Sequence, residues 1–187
     1  MVCYSKPWKF AGFLPKLNVT NDSIPAMRPI AFAQIDKITE IVSGDRISAV
    51  KFLSGDEDYL QDHFPHFPVM PGVLMLEAML QASSWLVRYT TGFKYSVVEL
   101  REAKNIKFQN LVTPNNQLIV NAKIMKQEEL IFTLKTECLI NDETAVNGRL
   151  VVETHNYGER NPSNSVVDEK IAFEKRLDFD SIMHLSR

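Results

Sequence analysis

Three residues close together in this sequence, His63, Gly72 and Glu77, could carry out chemistry. An imidazole titrates near neutral pH and can accept a proton. A carboxyl group on an otherwise apolar helix is pushed towards its neutral form by burial and can donate one. His63 and Glu77 stand fourteen positions apart and together offer a base and an acid. Between them, Pro71-Gly72 marks a switch from loop to helix. A glycine amide at a helix start can approach a carbonyl oxygen closely and hold it as it gains negative charge. Two of the three also have a plainer reading: His63 as a capped or core histidine, and Glu77 as a core carboxylate kept for packing specificity.

Positioning these groups falls to the stretch over residues 63–88, HFPHFPVMPGVLMLEAMLQASSWLVR. Pro65, Pro68 and Pro71 hold its first half extended, because proline fixes φ and disfavours helix at the residue before it. Residues 73–87 contain no breaker and are apolar on nearly every side, which predicts a buried helix. Glu77, Gln81, Ser84 and Arg88 are spaced by four, three and four, so they form one polar stripe along that helix. Gln81 either orients Glu77 or a water beside it, or makes an ordinary helix-surface hydrogen bond.

Three regions follow from the rest of the chain. Residues 1–29 read as an irregular arm carrying Trp8, Phe10, Phe13 and Leu14 among prolines. Residues 30–155 read as one domain. Residues 35–42 are ambiguous between strand and short helix, 46–53 alternate as a half-buried strand, and 57–62 predict one helical turn. Gly92 suits the cap of the long helix. Four further strands are predicted over 95–108, 117–126, 130–140 and 144–153, and their short connections specify antiparallel neighbours. Leu118, Val120, Ala122 and Ile124 mark an apolar face, as on a sheet with one side packed on a helix. Residues 156–187 turn polar and then charged, a linker plus a short surface helix.

At 187 residues and 45% hydrophobic, the chain suffices for one domain with a sizeable core. A net charge of -2 and a pI near 6.1 argue against nucleic acid as a partner. The most apolar run is broken by Glu77, Gln81, Ser83 and Ser84 within the length a membrane span needs. MVCYSKPWKF has no uninterrupted apolar core, so no secretory signal is expected. Cys3 and Cys138 make no metal or redox spacing and read as free thiols of a cytoplasmic protein. The four histidines suggest no metal site.

The run H-F-P-x-x-P-V-M-P-G-V-L-x-x-E-A-M-x-Q, matched at His63, Phe64, Pro65, Pro68, Pro71, Gly72, Val73, Leu74, Glu77, Ala78 and Gln81, resembles the active-site signature of the 3-hydroxyacyl-[acyl-carrier-protein] dehydratases of the FabZ and FabA type. Residues 103–118, AKNIKFQNLVTPNNQL, are similar to that family's second conserved strand and turn. The resemblance implies an α+β hotdog fold, an antiparallel sheet wrapped around one long central helix. It implies a lyase of fatty-acid biosynthesis or a related acyl pathway, dehydrating a (3R)-hydroxyacyl thioester to the trans-2-enoyl thioester. His63 and Glu77 would be catalytic, with Gly72 and Gln81 binding or orienting substrate. No cofactor is implied beyond the phosphopantetheine that an acidic acyl carrier protein brings, and Lys94, Arg101, Lys104 and Lys107 are candidates for meeting that partner. The family dimerises, with His and Glu of one site on opposite subunits, and a trimer of dimers is the larger assembly open to it. His66 stands where the family usually has Gly, Gln109 replaces a basic residue, and Asn115-Asn116 replaces a Gly-Asp turn. An acyl thioesterase and a non-catalytic acyl-binding subunit are the alternative readings on such a fold.

Overall fold

The computed structural model describes residues 32–62, 64, 66–159 and 165–184. His63, Pro65, Cys3 and the arm over residues 1–29 lie outside the described residues. The elements run β1 Lys37–Val42, β2 Arg46–Leu53, α1 Asp58–Asp62, α2 Gly72–Thr90, β3 Val97–Phe108, β4 Asn116–Glu128, β5 Ile131–Ile140, β6 Glu143–His155, a 3-10 turn Tyr157–Glu159 and α3 Ser165–His184. The six strands form one antiparallel sheet in the order β1-β2-β4-β5-β6-β3. This is the hotdog fold, and α2 touches every strand from β2 to β6.

Alternation explains which side chains meet the helix. Leu118, Val120 and Ala122 of β4, Phe132, Leu134 and Cys138 of β5, and Leu150 and Val152 of β6 point inwards and are buried. On α2 the buried residues Leu74, Met75, Ala78, Met79, Ala82, Trp85 and Leu86 recur every three or four positions, so one face of the helix fills the curve of the sheet. Met75 and Met79 therefore sit in the packed core. Of residues 35–42, ambiguous in sequence, Lys37–Val42 form strand β1, because Ile38 is buried and the backbone completes a ladder with β2.

The C-terminus of α2 ends as predicted, with Gly92 at φ 63 beyond the cap residue Thr91. The Gly92 amide donates to the Tyr89 carbonyl at 3.2 Å and the Phe93 amide to the Arg88 carbonyl at 2.8 Å, which satisfies two carbonyls of the helix's last turn. Phe93 is buried there and meets Phe179 of α3 edge-on, and the Phe179 ring also stacks on Tyr89. The helix α3 is thus 20 residues long, not a short surface helix, and it seats Phe179 and Ile182 in the core.

Edge strand β3 carries an irregularity. Between Lys104, opposite Arg149, and Lys107, opposite Asn147, two residues face the single Gly148. Asn105 takes φ 53, and Ile106 crosses over Gly148 where a Cβ would run into the Ile106 side chain and lie 3.1 Å from the Lys104 carbonyl oxygen. In the turn before β4, Asn115 adopts φ 61. Asparagine is among the few residues that enter this region readily, so it can serve where the family has glycine. Asn116 then ties the turn through its side-chain amide to the Thr113 and Pro114 carbonyls at 3.1 and 3.2 Å.

Candidate active site

Pro71 caps α2 in an extended conformation, φ -56 and ψ 137, with no side-chain cap. The Leu74 amide donates to the Pro71 carbonyl at 2.9 Å. Those of Gly72 and Val73 have no partner among the described residues. Two amide donors at the positive end of a 19-residue helix form an anion-stabilising corner. The Phe108 ring lies against Gly72, where an added Cβ would sit 3.0 Å from Cε1 and 3.2 Å from Cδ1. Glycine at this position therefore makes room for an aromatic ring.

One turn further along α2, Glu77 is half-buried, less sequestered within this chain than the apolar sequence around it predicts. Gln81 Nε2 donates to Glu77 Oε1 at 2.8 Å and to the Phe32 carbonyl at 3.1 Å, while Gln81 Oε1 accepts from the Gln34 amide at 2.8 Å. These three bonds fix which end of the Gln81 amide faces the carboxylate. Glu77 Oε2 carries none of these bonds. Phe32 and Gln34 were not legible as site residues, because their contribution is backbone groups 49 and 47 positions from Gln81.

The predicted polar stripe divides. Arg88 turns away into the protein, is buried, and donates to the Tyr95 and Ser96 carbonyls at 3.0 and 3.1 Å. Burial pulls its guanidinium down to about 10. Ser84 remains half-buried on the Glu77 side. His66 is exposed in the loop before α2, where the Phe67 amide closes a turn onto the Phe64 carbonyl at 2.8 Å. His63, the predicted base, lies outside the described residues, so its distance to Glu77 is not part of this geometry. Among the described residues no cluster of three metal-ligating side chains occurs, and no helix is long and apolar enough to cross a membrane.

Residues 27–149 match the model of the FabA-like domain family. The chain belongs to this family. It is 34% identical over 136 residues to the 3-hydroxyacyl-[acyl-carrier-protein] dehydratase FabZ of Lactococcus lactis subsp. cremoris (strain SK11), covering 72% of this chain and 92% of that protein. It is 37% identical over 122 residues to the FabZ of Albidiferax ferrireducens, covering 64% and 81%. Among solved structures it is similar to the dehydratase heterocomplex ApeI:P of Xenorhabdus doucetiae, with a TM-score of 0.59 at 18% identity over 74% of this chain and 93% of that one. At such identity the structural likeness speaks to the fold, and this FabA-like chain has the fold its signature implied. Gly72 opens α2, and Glu77 and Gln81 follow in its N-terminal half and at its middle, with the Glu77–Gln81 hydrogen bond formed.

Proposed function

We propose that this FabA-like chain is a 3-hydroxyacyl-[acyl-carrier-protein] dehydratase, a hydro-lyase of fatty-acid biosynthesis or a related acyl pathway. The observation that carries the reading is the Glu77–Gln81 hydrogen bond on the helix that Gly72 opens, in a chain 33–37% identical to FabZ enzymes. The substrate is a (3R)-hydroxyacyl thioester delivered on phosphopantetheine by the acyl carrier protein, and no further cofactor enters the scheme.

The reaction breaks a weakly acidic Cα–H bond and expels a poor leaving group. Donation from the Gly72 amide to the thioester oxygen stabilises the negative charge that develops there. His63 takes the α-proton, the C–H electron pair forms the Cα=Cβ double bond, and the Cβ–O bond breaks. Glu77 gives its proton to the departing hydroxyl, which leaves as water. Gln81 acts as a positioning residue for Glu77. After release, proton transfer from His63 through solvent restores Glu77.

A homodimer is the assembly this reading requires, with His63 of one chain facing Glu77 of its partner. Two features support it. Among the described residues, strand β3 is a largely exposed edge paired only with β6, and sheets ordinarily cover such an edge. Around the α2 start, Val73 is 70% exposed and Phe67, Phe108 and Leu111 are more than half exposed, an apolar grouping suited to a subunit interface. The test is to supply a 3-hydroxyacyl and a 2-enoyl thioester and follow enoyl absorbance together with free thiol. Interconversion without thiol release is expected. Thiol release, or no change in either signal, would contradict a dehydratase.

A further inference from the structure

The register of the sheet places five basic residues in one line. Arg46 of β2 is opposite Lys123 of β4, Lys123 opposite Lys135 of β5, Lys135 opposite Arg149 of β6, and Arg149 opposite Lys104 of β3. All five are exposed on the sheet face turned away from α2. Like charges directly opposite one another across a sheet are unfavourable by several tenths of a kcal/mol per pair. This row sets four such pairs side by side in a chain whose net charge is -2.

Ion pairs relieve only part of the row. Arg46 meets Glu40 and Asp45, Lys123 lies 3.6 Å from Asp45, and Lys104 pairs with Glu102. Neither Lys135 nor Arg149 makes an ion pair among the described residues. Acidic residues border the row on both sides: Glu40 and Glu137 in the adjacent line, and Glu102 in the line opposite. Each bordering line also holds one lysine, Lys107 in the line of Glu137 and Lys126 in the line of Glu102, so the only unbroken basic line among the described residues is the row itself, roughly 19 Å long at about 4.8 Å per strand.

A membrane or a nucleic acid lying flat on this face would meet the flanking carboxylates as well. A single acidic helix fits better, since three to four turns cover about 16–22 Å and present carboxylates in one line. We infer that the Arg46–Lys123–Lys135–Arg149–Lys104 row docks an acidic helix of the acyl carrier protein. This rests on the dehydratase reading. The β3 end of the strip lies roughly 13 Å along the strand from Phe108, at about 3.3 Å per residue, and Phe108 touches Gly72. Of the basic residues singled out from sequence, Lys104 ends the row and Lys107 stands in the line beside it, whereas Lys94 lies over the Tyr95 ring and Arg101 pairs with Glu153.

The test compares wild type with Lys135→Glu/Arg149→Glu on two substrates of the same acyl group, one carried by acyl carrier protein and one as a neutral N-acetylcysteamine thioester. KM for the carrier-bound substrate is expected to rise about tenfold or more in the double variant. Its kcat, and both constants for the small thioester, should stay as in wild type. Lys94→Glu is the control for charge alone and should match wild type on both substrates. Lys135→Ser/Arg149→Ser gives the same comparison if the glutamates disturb folding. An unchanged carrier KM in the double variant, or an equal rise in Lys94→Glu, overturns the docking surface. If wild type turns over neither substrate, the dehydratase reading fails instead. Carrier binding measured by fluorescence anisotropy on wild type and double variant then decides the surface by itself: weaker binding to the double variant supports it, and equal binding overturns it.

Discussion

Gln81 shows how little of a site's geometry needs to come from the reacting groups. Its amide is held by the Phe32 carbonyl and the Gln34 amide, so the hydrogen it offers to Glu77 is set from outside the helix. Gln81→Ala frees the carboxylate to rotate, and misplacement on the scale of 1 Å can cost about a hundredfold in rate. The expected result is a kcat lowered about ten- to a hundredfold with KM little changed, measured with a small thioester substrate. At this scale the sequence was partly legible. The four-residue spacing of Glu77 and Gln81 predicts their contact, and the structure has it at 2.8 Å. The same spacing logic carried Arg88 into the stripe, whereas the carbonyls of Tyr95 and Ser96 draw it inwards. Those carbonyls lie beyond the helix end, where helical periodicity carries no information.

The strands were legible because alternation survives wherever one face packs on a helix, as in Leu118, Val120 and Ala122. The β3 irregularity was not, because it depends on Ile106 crossing a glycine on another strand. Gly148→Ala should therefore destabilise the fold by about 1–3 kcal/mol through overpacking, read as a lowered midpoint in urea. Helix α3 is tied at its start by Asp168, which accepts from the Ser96 hydroxyl and from the Tyr157 and Gly158 amides at 2.9 and 2.7 Å. Burial would raise this carboxyl, but the Ser96 hydroxyl, the two amides and His155 outweigh it and hold it below its ordinary 3.8. A depressed carboxylate stabilises the fold above its unfolded-state pKa, and that contribution is lost as pH falls through the folded value. Asp168→Asn should accordingly flatten the loss of α3 anchoring below about pH 3.9, followed by fluorescence of Trp85, whose ring lies 6.0 Å from Phe179. An unaltered acid transition would remove Asp168 from that role.

Across the whole molecule, three features are left open among the described residues of one chain. Strand β3 is an open edge, the α2 start is ringed by exposed apolar side chains, and Glu77 is only half-buried. A second chain laid on that side would cover all three, and in the proposed mechanism it would also bring His63. Hydrophobic patterning foretold a sheet around a helix but could not rank the sides left open, since burial against a partner reads in sequence like burial in a core. The most direct measurement is subunit mixing. His63→Ala and Glu77→Gln should each be inactive alone as folded dimers. After random exchange, half the dimers are mixed and each holds one intact site, so enoyl formation should return to about a quarter of wild type, as the symmetry of a shared site requires. Activity in either variant alone, or no recovery once exchange is verified, would contradict an imidazole and a carboxyl acting together across two chains.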